Sequence, residues 1–562
     1  MIHLIPQPKK LIEADGFLAK KAFFCADLPA DERLVAAIRK LPLAEDGAAL
    51  TVAYGAGGEG YTLTVSEDAV SIGAEGAAGA FYGIQTLRQL LKAEAVPCLT
   101  IEDKPDFAHR GFYHDMTRGK VATVATLKKL IDEMSYYKMN SLQLYVEHTF
   151  EFEECKDLNE ATGYLTAEEL KELDAYCAAH FIEFIPSLST FGHLYELLQQ
   201  PKFRHLRTLK DFKPSANFWH ERMAHHTIDP LNPESIEVIK SLIDQYYPHF
   251  ATDTFNICCD ETFDLKVYEE SHDVGKIYVD FVKQIIAHLQ AKGKKIMMWA
   301  DILLKYPETI NDLPEDTIFL NWNYRAEPPE ANIEKFAALG RTQIVCPGTS
   351  TWSRFCETVD QEEQNICKMA DYGYRHGAVG MLNTNWGDWG NPCSLELAMY
   401  GMVLGAAKSW AIATEPNKAF QADIDALLYE QEGGYALLRE VSELHKTIRW
   451  KEFIENYFRF RGEKAGDYAP LTIPVEEVQA RHAALCAALE TPWKNDEYRQ
   501  EMKLAADAIC LLAELNEKMI GNQPAQQVDA EKFLAAYSEK WLAKNKPSEL
   551  RNIQRVFNEL NA

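Results

Sequence analysis

Long apolar runs are missing from this 562-residue chain; no stretch of 18 or more consecutive apolar residues occurs, so no membrane-spanning helix is expected. Positive charge is scarce as well. Lysine and arginine number 58 against 84 aspartates and glutamates, for a net charge of −26. A surface of that sign repels phosphates, which argues against a nucleic acid or an anionic membrane as partner. The short motifs of several chemistries are also absent. There is no H-E-x-x-H and no Cys-x₂-Cys, so no zinc site and no other metal or cofactor is expected. No G-x-S-x-G elbow offers a nucleophilic serine. The start, Met1-Ile-His-Leu-Ile-Pro-Gln-Pro, lacks the charged and apolar regions of a secretory signal. The twelve cysteines follow no framework spacing and read as reduced core thiols, with Cys258-Cys259 as small strand residues. The expectation is a cytoplasmic protein, or a secreted one whose signal has been removed.

A chain of this length exceeds a single hydrophobic core. Residues 1–105 read as a small α/β domain, with strands at Leu50–Tyr54, Tyr61–Val65 and Val70–Ile72 and an amphipathic helix over Ala77–Lys92. Gly55, Gly57 and Gly60 match G-x-G-x-x-G, but a strand follows where a dinucleotide site needs a helix. The segment is therefore expected to be a hairpin loop. Residues 106–414 alternate eight short apolar runs with helical stretches. The runs are Arg110–Met116, Ser141–Glu147, Glu183–Ser189, Thr254–Glu261, Lys294–Asp301, Thr317–Tyr324, Thr342–Gly348 and Gly380–Trp386. Eight such repeats predict a (β/α)₈ barrel, the TIM-barrel class of α/β fold. Residues 415–562 read as helical. Met502, Ala505, Ile509, Leu512 and Ala513 form a stripe that should pack on a neighbouring domain or on a second copy in a homodimer.

Barrel active sites lie at the C-terminal ends of the strands. Those ends offer Arg110, Asp115 and Arg118, then Glu147 and His148, then Ser187, Thr190 and His193. They continue with Asp260-Glu261, Trp299 and Asp301, Trp322 and Tyr324, Trp352, and finally Asn385, Trp386, Asp388 and Trp389. Five of the ten tryptophans thus fall at predicted strand ends, among carboxylates. Aromatic faces stack on the C–H faces of sugar rings while carboxylates and arginine bind hydroxyls, so a glycan is the expected partner. Three other readings stay open: a glycosidase with a carboxylate nucleophile such as Asp301 or Asp388, a sugar-binding protein without catalysis, and a pair that merely caps a helix N-terminus.

The stretch Asn256-Ile257-Cys258-Cys259-Asp260-Glu261 resembles the H-x-G-G-D-E segment of glycoside hydrolase family 20. The likeness extends from Gly79-Ala80-Phe81-Tyr82-Gly83 through Arg110-Gly111-Phe112 and Gly192-His193 to the later tryptophans, about residues 1–410. Within the family it resembles the divergent branch containing hexosaminidase D. The resemblance implies a β-N-acetylhexosaminidase that removes terminal GlcNAc or GalNAc by substrate-assisted catalysis. It makes Asp260 the group that orients the acetamide and Glu261 the general acid and base. Arg110 would hold sugar hydroxyls, and His193 would support the acid with Glu147. Trp299, Trp322, Trp352 and Trp386 would wall the pocket, Tyr324 would contact the acetamide, and Asp388 would bind a hydroxyl. The sequence departs at Asn256, where the motif has histidine, and at both cysteines, where it has glycine. Neighbouring strand residues diverge, so an adjacent pair suits a mechanism in which the substrate supplies the nucleophile.

Overall fold

The computed structural model describes residues 2–158, 163–213, 215–224 and 226–561. The chain begins with a six-stranded sheet of β1 (Lys10–Phe17), β2 (Phe23–Phe24), β3 (Ala48–Tyr54), β4 (Tyr61–Val65), β5 (Ala69–Ala74) and β6 (Pro97–Asp103). Their order is β1-β6-β4-β5-β3-β2. The helix Ala77–Leu90 covers one face and buries Phe81, Ile84 and Leu87 against Leu50, Leu63 and Ile72. The expected hairpin at Gly55–Gly60 is not one. β3 pairs in parallel with β5, while β4 pairs antiparallel with β5 and β6. The true hairpin turns at Ser66–Asp68, where Ser66 N–H bonds Ala69 O at 2.9 Å. The glycine-rich segment instead carries the chain over the end of β5, where the Gly55 and Gly57 N–H groups bond Ala74 O and Glu75 O, and presents Glu59 to Arg110 of the next domain.

The barrel closes through β7 (His109–Asp115), β8 (Ser141–Val146), β9 (Glu183–Leu188), β10 (Thr254–Asn256), β11 (Lys295–Trp299), β12 (Ile318–Trp322), β13 (Gln343–Cys346) and β14 (Gly380–Asn385), with β14 paired to β7. Each strand is covered on both faces, which is why the runs read as continuously apolar. Tyr113, Tyr145, Ile185, Met297, Leu320, Ile344 and Leu382 fill the interior. Their neighbours Phe112, Leu144, Phe184, Met298, Phe319, Val345 and Met381 face the outer helices. The helices start on local caps. Thr166 and Glu169 form a reciprocal capping box, Thr123 accepts from Thr126 N–H, and Asn232 precedes a proline at the first turn.

The C-terminal helices enclose a 24-residue helix, Asp496–Met519, whose stripe is buried within the chain itself. Met502, Ile509 and Leu512 are at 0% exposure, so this stripe does not need a second subunit to cover it. The region also braces the barrel's loops. Glu549 N–H bonds Gly119 O, Lys546 N–H bonds Val121 O, and the Trp450 indole donates to Trp389 O at 2.7 Å.

Candidate active site at the C-terminal mouth of the barrel

β10 is only three residues long, and its ending builds the site. The Asn256 side chain accepts the Cys258 N–H at 3.0 Å, and Cys258, Cys259 and Glu261 then take positive φ values of 56°, 65° and 48°. Left-handed backbone costs a residue with a Cβ about 1–2 kcal/mol, so the two cysteines occupy positions where glycine would be unstrained. The packing around them holds the turn: Thr190 Oγ1 donates to Ile257 O at 2.6 Å and Tyr278 OH donates to Cys259 O at 2.9 Å. Gly192 admits the turn because an added Cβ would lie 2.4 Å from Asp260 O. Strained segments of this kind concentrate at functional sites.

Asp260 and Glu261 therefore do not diverge as strand neighbours would. Both converge on one nitrogen: His193 Nε2 lies 3.2 Å from Asp260 Oδ2 and 3.3 Å from Glu261 Oε2. Burial disfavours a charged imidazole, but the Asp260 charge and hydrogen bonds to both carboxylates push it up to about 10. Arg118 Nη2, which can only donate, sits 3.3 Å from Nδ1 and pulls the other way, toward a neutral ring. In either state the proton on Nε2 is held between the two carboxylates. These three side chains also have the reach of a metal ligand set; the neighbouring guanidinium and the shared proton favour the hydrogen-bonded arrangement.

A cavity of about 190 Å³ opens over the pair, lined by Arg118, His193, Met223, Asp260, Glu261, Asp388 and a wall of aromatic rings. Trp299 forms the floor, fully buried, and Trp386, Trp322, Trp352 and Tyr324 complete the wall. Trp322 stacks on Tyr324 with centroids 5.1 Å apart. The Trp386 indole donates to Tyr324 OH at 2.7 Å.

Arg118 is the arginine of this pocket. Asp115, at the end of β7, accepts the Thr117 and Arg118 N–H groups at 2.9 and 3.0 Å and so fixes the turn that carries it. The guanidinium lies over Tyr145 and Trp386 and 3.1 Å from Asp388 Oδ1. Glu147 stands behind it, 3.8 Å from Arg118 Nε and bonded by Tyr145 OH at 2.7 Å. Burial pushes the Glu147 carboxyl up to about 7 against the pull of Arg118. Asp301 lies beneath the pair rather than in the cavity and accepts the Glu261 N–H at 3.0 Å. Burial, then the Asp260 charge, push it up to about 7.

Arg110 must be reassigned. It is the second residue of β7 and so lies at the opposite, N-terminal end of the barrel. Its guanidinium is fully buried, forked onto Glu59 at 2.8 and 2.8 Å, and bonded to Phe107 O and Lys138 O. It joins the two domains and cannot meet a sugar in the mouth. Arg110→Met should therefore destabilise the fold by about 3 kcal/mol, the cost of breaking a buried pair, and leave KM unchanged. Urea unfolding beside steady-state kinetics checks this; a raised KM at unchanged stability would return Arg110 to the substrate.

His193→Ala should lower kcat about 10–100-fold, the worth of a hydrogen bond to a charged group. It should also move the alkaline limb of the pH profile upward, because the acid loses a neighbour that favours its ionised form. An unmoved limb would reduce His193 to packing.

Carboxylates at a barrel mouth within a wall of tryptophans define a carbohydrate-active site on a (β/α)₈ scaffold. Residues 107–411 match the profile described as glycosyl hydrolase family 20, catalytic domain, and residues 1–104 match that family's domain 2. The chain belongs to glycosyl hydrolase family 20. A beta-hexosaminidase of Porphyromonas gingivalis is 27% identical over 288 residues, 44% of this chain and 36% of that protein. One from Akkermansia muciniphila is 35% identical over 158 residues, 24% of this chain and 32% of that one. Human hexosaminidase D is 23% identical over 37% of this chain and 44% of its own length. The chain thus spans about a third to a half of the curated relatives named here. The solved chitobiase of Flavobacterium johnsoniae shares the fold along 99% of both chains, at TM-score 0.64 and 16% identity.

Proposed function

We propose that this protein is an exo-acting retaining glycosidase that removes a terminal β-linked N-acetylhexosamine, using the substrate's own acetamide as the nucleophile. One observation carries this reading: Asp260 and Glu261 both reach His193 Nε2, at 3.2 and 3.3 Å, on one side of the cavity. Two carboxyl groups flanking a bond as nucleophile and acid would approach it from different sides. Of the remaining carboxylates nearby, Asp388 is held by Arg118 and Asp301 by the Glu261 backbone.

In the proposed reaction Glu261 gives its proton to the glycosidic oxygen as the C1–O bond breaks. The acetamide oxygen forms the new bond to C1, giving a cyclic oxazolinium. Asp260 holds the acetamide nitrogen and stabilises its positive charge. Water then adds to C1, giving up a proton to Glu261, and the ring reopens with retained configuration. Arg118 and Asp388 are placed to bind hydroxyls of the terminal sugar, Tyr324 to donate to the acetamide oxygen, and the tryptophans to stack on the ring and exclude water. The small, walled cavity supports attack at a chain end.

Chromogenic β-GlcNAc, β-GalNAc and β-glucoside substrates compared side by side test this. The two acetamido sugars should be cleaved and the glucoside should be slower by at least about 10³-fold, since the intramolecular nucleophile is lost. Comparable turnover of the glucoside would overturn the reading. The alternative of an acid with a carboxylate nucleophile would then stand.

A further inference from the structure

Two helices of the C-terminal region bring together a second cluster, on residues that do not line the catalytic cavity. His482 and Cys486 are four residues apart on the helix Val475–Ala488, and Asp507 and Cys510 are three apart on Asp496–Met519. Both spacings put the pair on one helix face, and the two helices pack together. His482 Nε2 lies 2.7 Å from Asp507 Oδ1 and 3.3 Å from Cys486 Sγ, which is 3.8 Å from the same carboxylate oxygen. These three ligand atoms all fall within 4.8 Å of one another. Cys510, one turn further along that helix, donates to Glu514 Oε1 at 3.6 Å and stands outside this set.

We propose that His482, Cys486 and Asp507 form a zinc site that clamps these two helices, with the fourth position of the ion open. A thiol, an imidazole and a carboxylate are a donor set for zinc, not for calcium or magnesium, which take oxygen ligands. Tetrahedral zinc with bonds of about 2.0–2.3 Å has ligand atoms roughly 3.3–3.8 Å apart. The Cys486–His482 and Cys486–Asp507 separations already match that range. Only the His482–Asp507 hydrogen bond must lengthen, as its proton gives way to the ion. The surroundings match a metal site as well. The Gln527 side-chain amide stands 2.7 Å from His482 Nδ1, and with its oxygen turned to the ring it accepts the Nδ1 proton that a metal on Nε2 requires. Glu514 accepts the Gln527 N–H at 2.8 Å and the Gln479 side chain at 2.7 Å, which fixes the segment carrying Gln527. His482 and Cys510 are buried, whereas Cys486 and Asp507 are half-buried and give an ion access.

The test uses the full-length protein, stripped with EDTA and desalted under reducing conditions. Cobalt(II) is the spectroscopic probe and zinc its competitor. One cobalt should bind per chain with the charge-transfer absorption of a thiolate ligand, and zinc should abolish that band. Cys486→Ser should weaken zinc binding by more than about 100-fold, because even outer partners of metal ligands contribute 10–100-fold, whereas Cys510→Ser should have a much smaller effect. Zinc should raise the thermal midpoint of the wild type but not of His482→Ala. Cys258→Ser and Asp260→Asn should leave the cobalt band intact, which separates this site from the catalytic cluster. No thiolate band, or a band that survives Cys486→Ser and is lost in Cys258→Ser, would overturn the proposal. A band lost in the Cys486 and His482 variants but kept in Cys510→Ser supports it, with the zinc-free thermal midpoint of each variant showing that it folds.

Discussion

Glu261→Gln should lose about 10²–10⁴-fold in kcat on substrates with poor leaving groups, the usual worth of a positioned general acid. The amide cannot deliver a proton, yet it keeps the size and much of the hydrogen bonding of the carboxyl. The loss should shrink as the leaving group improves, because an aryloxide of low basicity departs with little protonation. Steady-state rates on a series of aryl glycosides check this. A loss of equal size across the series would sink the assignment of Glu261 as the acid. The expectation follows from where the side chain is held: His193 Nε2 contacts it from one side, and Asp301 fixes its backbone N–H from below.

The barrel was legible in the sequence because parallel strands are covered on both faces, and eight short apolar runs repeat at helix-length intervals. Each of the eight predicted runs overlaps a barrel strand, although Thr254–Glu261 ends as a strand at Asn256. The catalytic mouth was legible for a related reason: strand ends carry the chemistry in this fold. That rule, applied strictly, would also have separated Arg110 from Arg118. Arg110 stands at the start of β7 and Arg118 three residues beyond its end. Met223 was out of reach, since it arrives from a short helix and turn after β9 with no strand to mark it. The left-handed turn at Cys258 and Cys259 was hidden too, because strand reading assumes extended backbone to the end of the run. Two β-strands next to each other in sequence read as a hairpin, yet β3 and β4 are separated by β5 in the sheet. The His482 cluster escaped because its ligands are divided between two helices. A search for two cysteines within one short motif does not see a His-x₃-Cys face meeting an aspartate on another helix.

Asp260→Asn should reduce kcat by about 10²–10³-fold with a much smaller change in KM, as when a group aimed at developing charge is removed. The asparagine can still meet the acetamide N–H through its oxygen, so the sugar binds. It carries no negative charge, so it cannot offset the positive charge that appears on nitrogen as the ring closes. The same reasoning predicts that a thiazoline mimic of the cyclic intermediate binds the wild type far more tightly than substrate does, and that Asp260→Asn abolishes most of that advantage. Inhibition constants for the thiazoline, set beside kcat and KM for both proteins, decide it. If the thiazoline binds no better than substrate, the cyclic intermediate is wrong. If a covalent sugar ester is trapped on Asp301 or Asp388, the nucleophile belongs to the protein and not to the acetamide. The geometry opposes that outcome: Asp301 lies under the turn and outside the cavity lining, Asp388 is committed to Arg118, and Asp260 shares the His193 proton with the acid beside it.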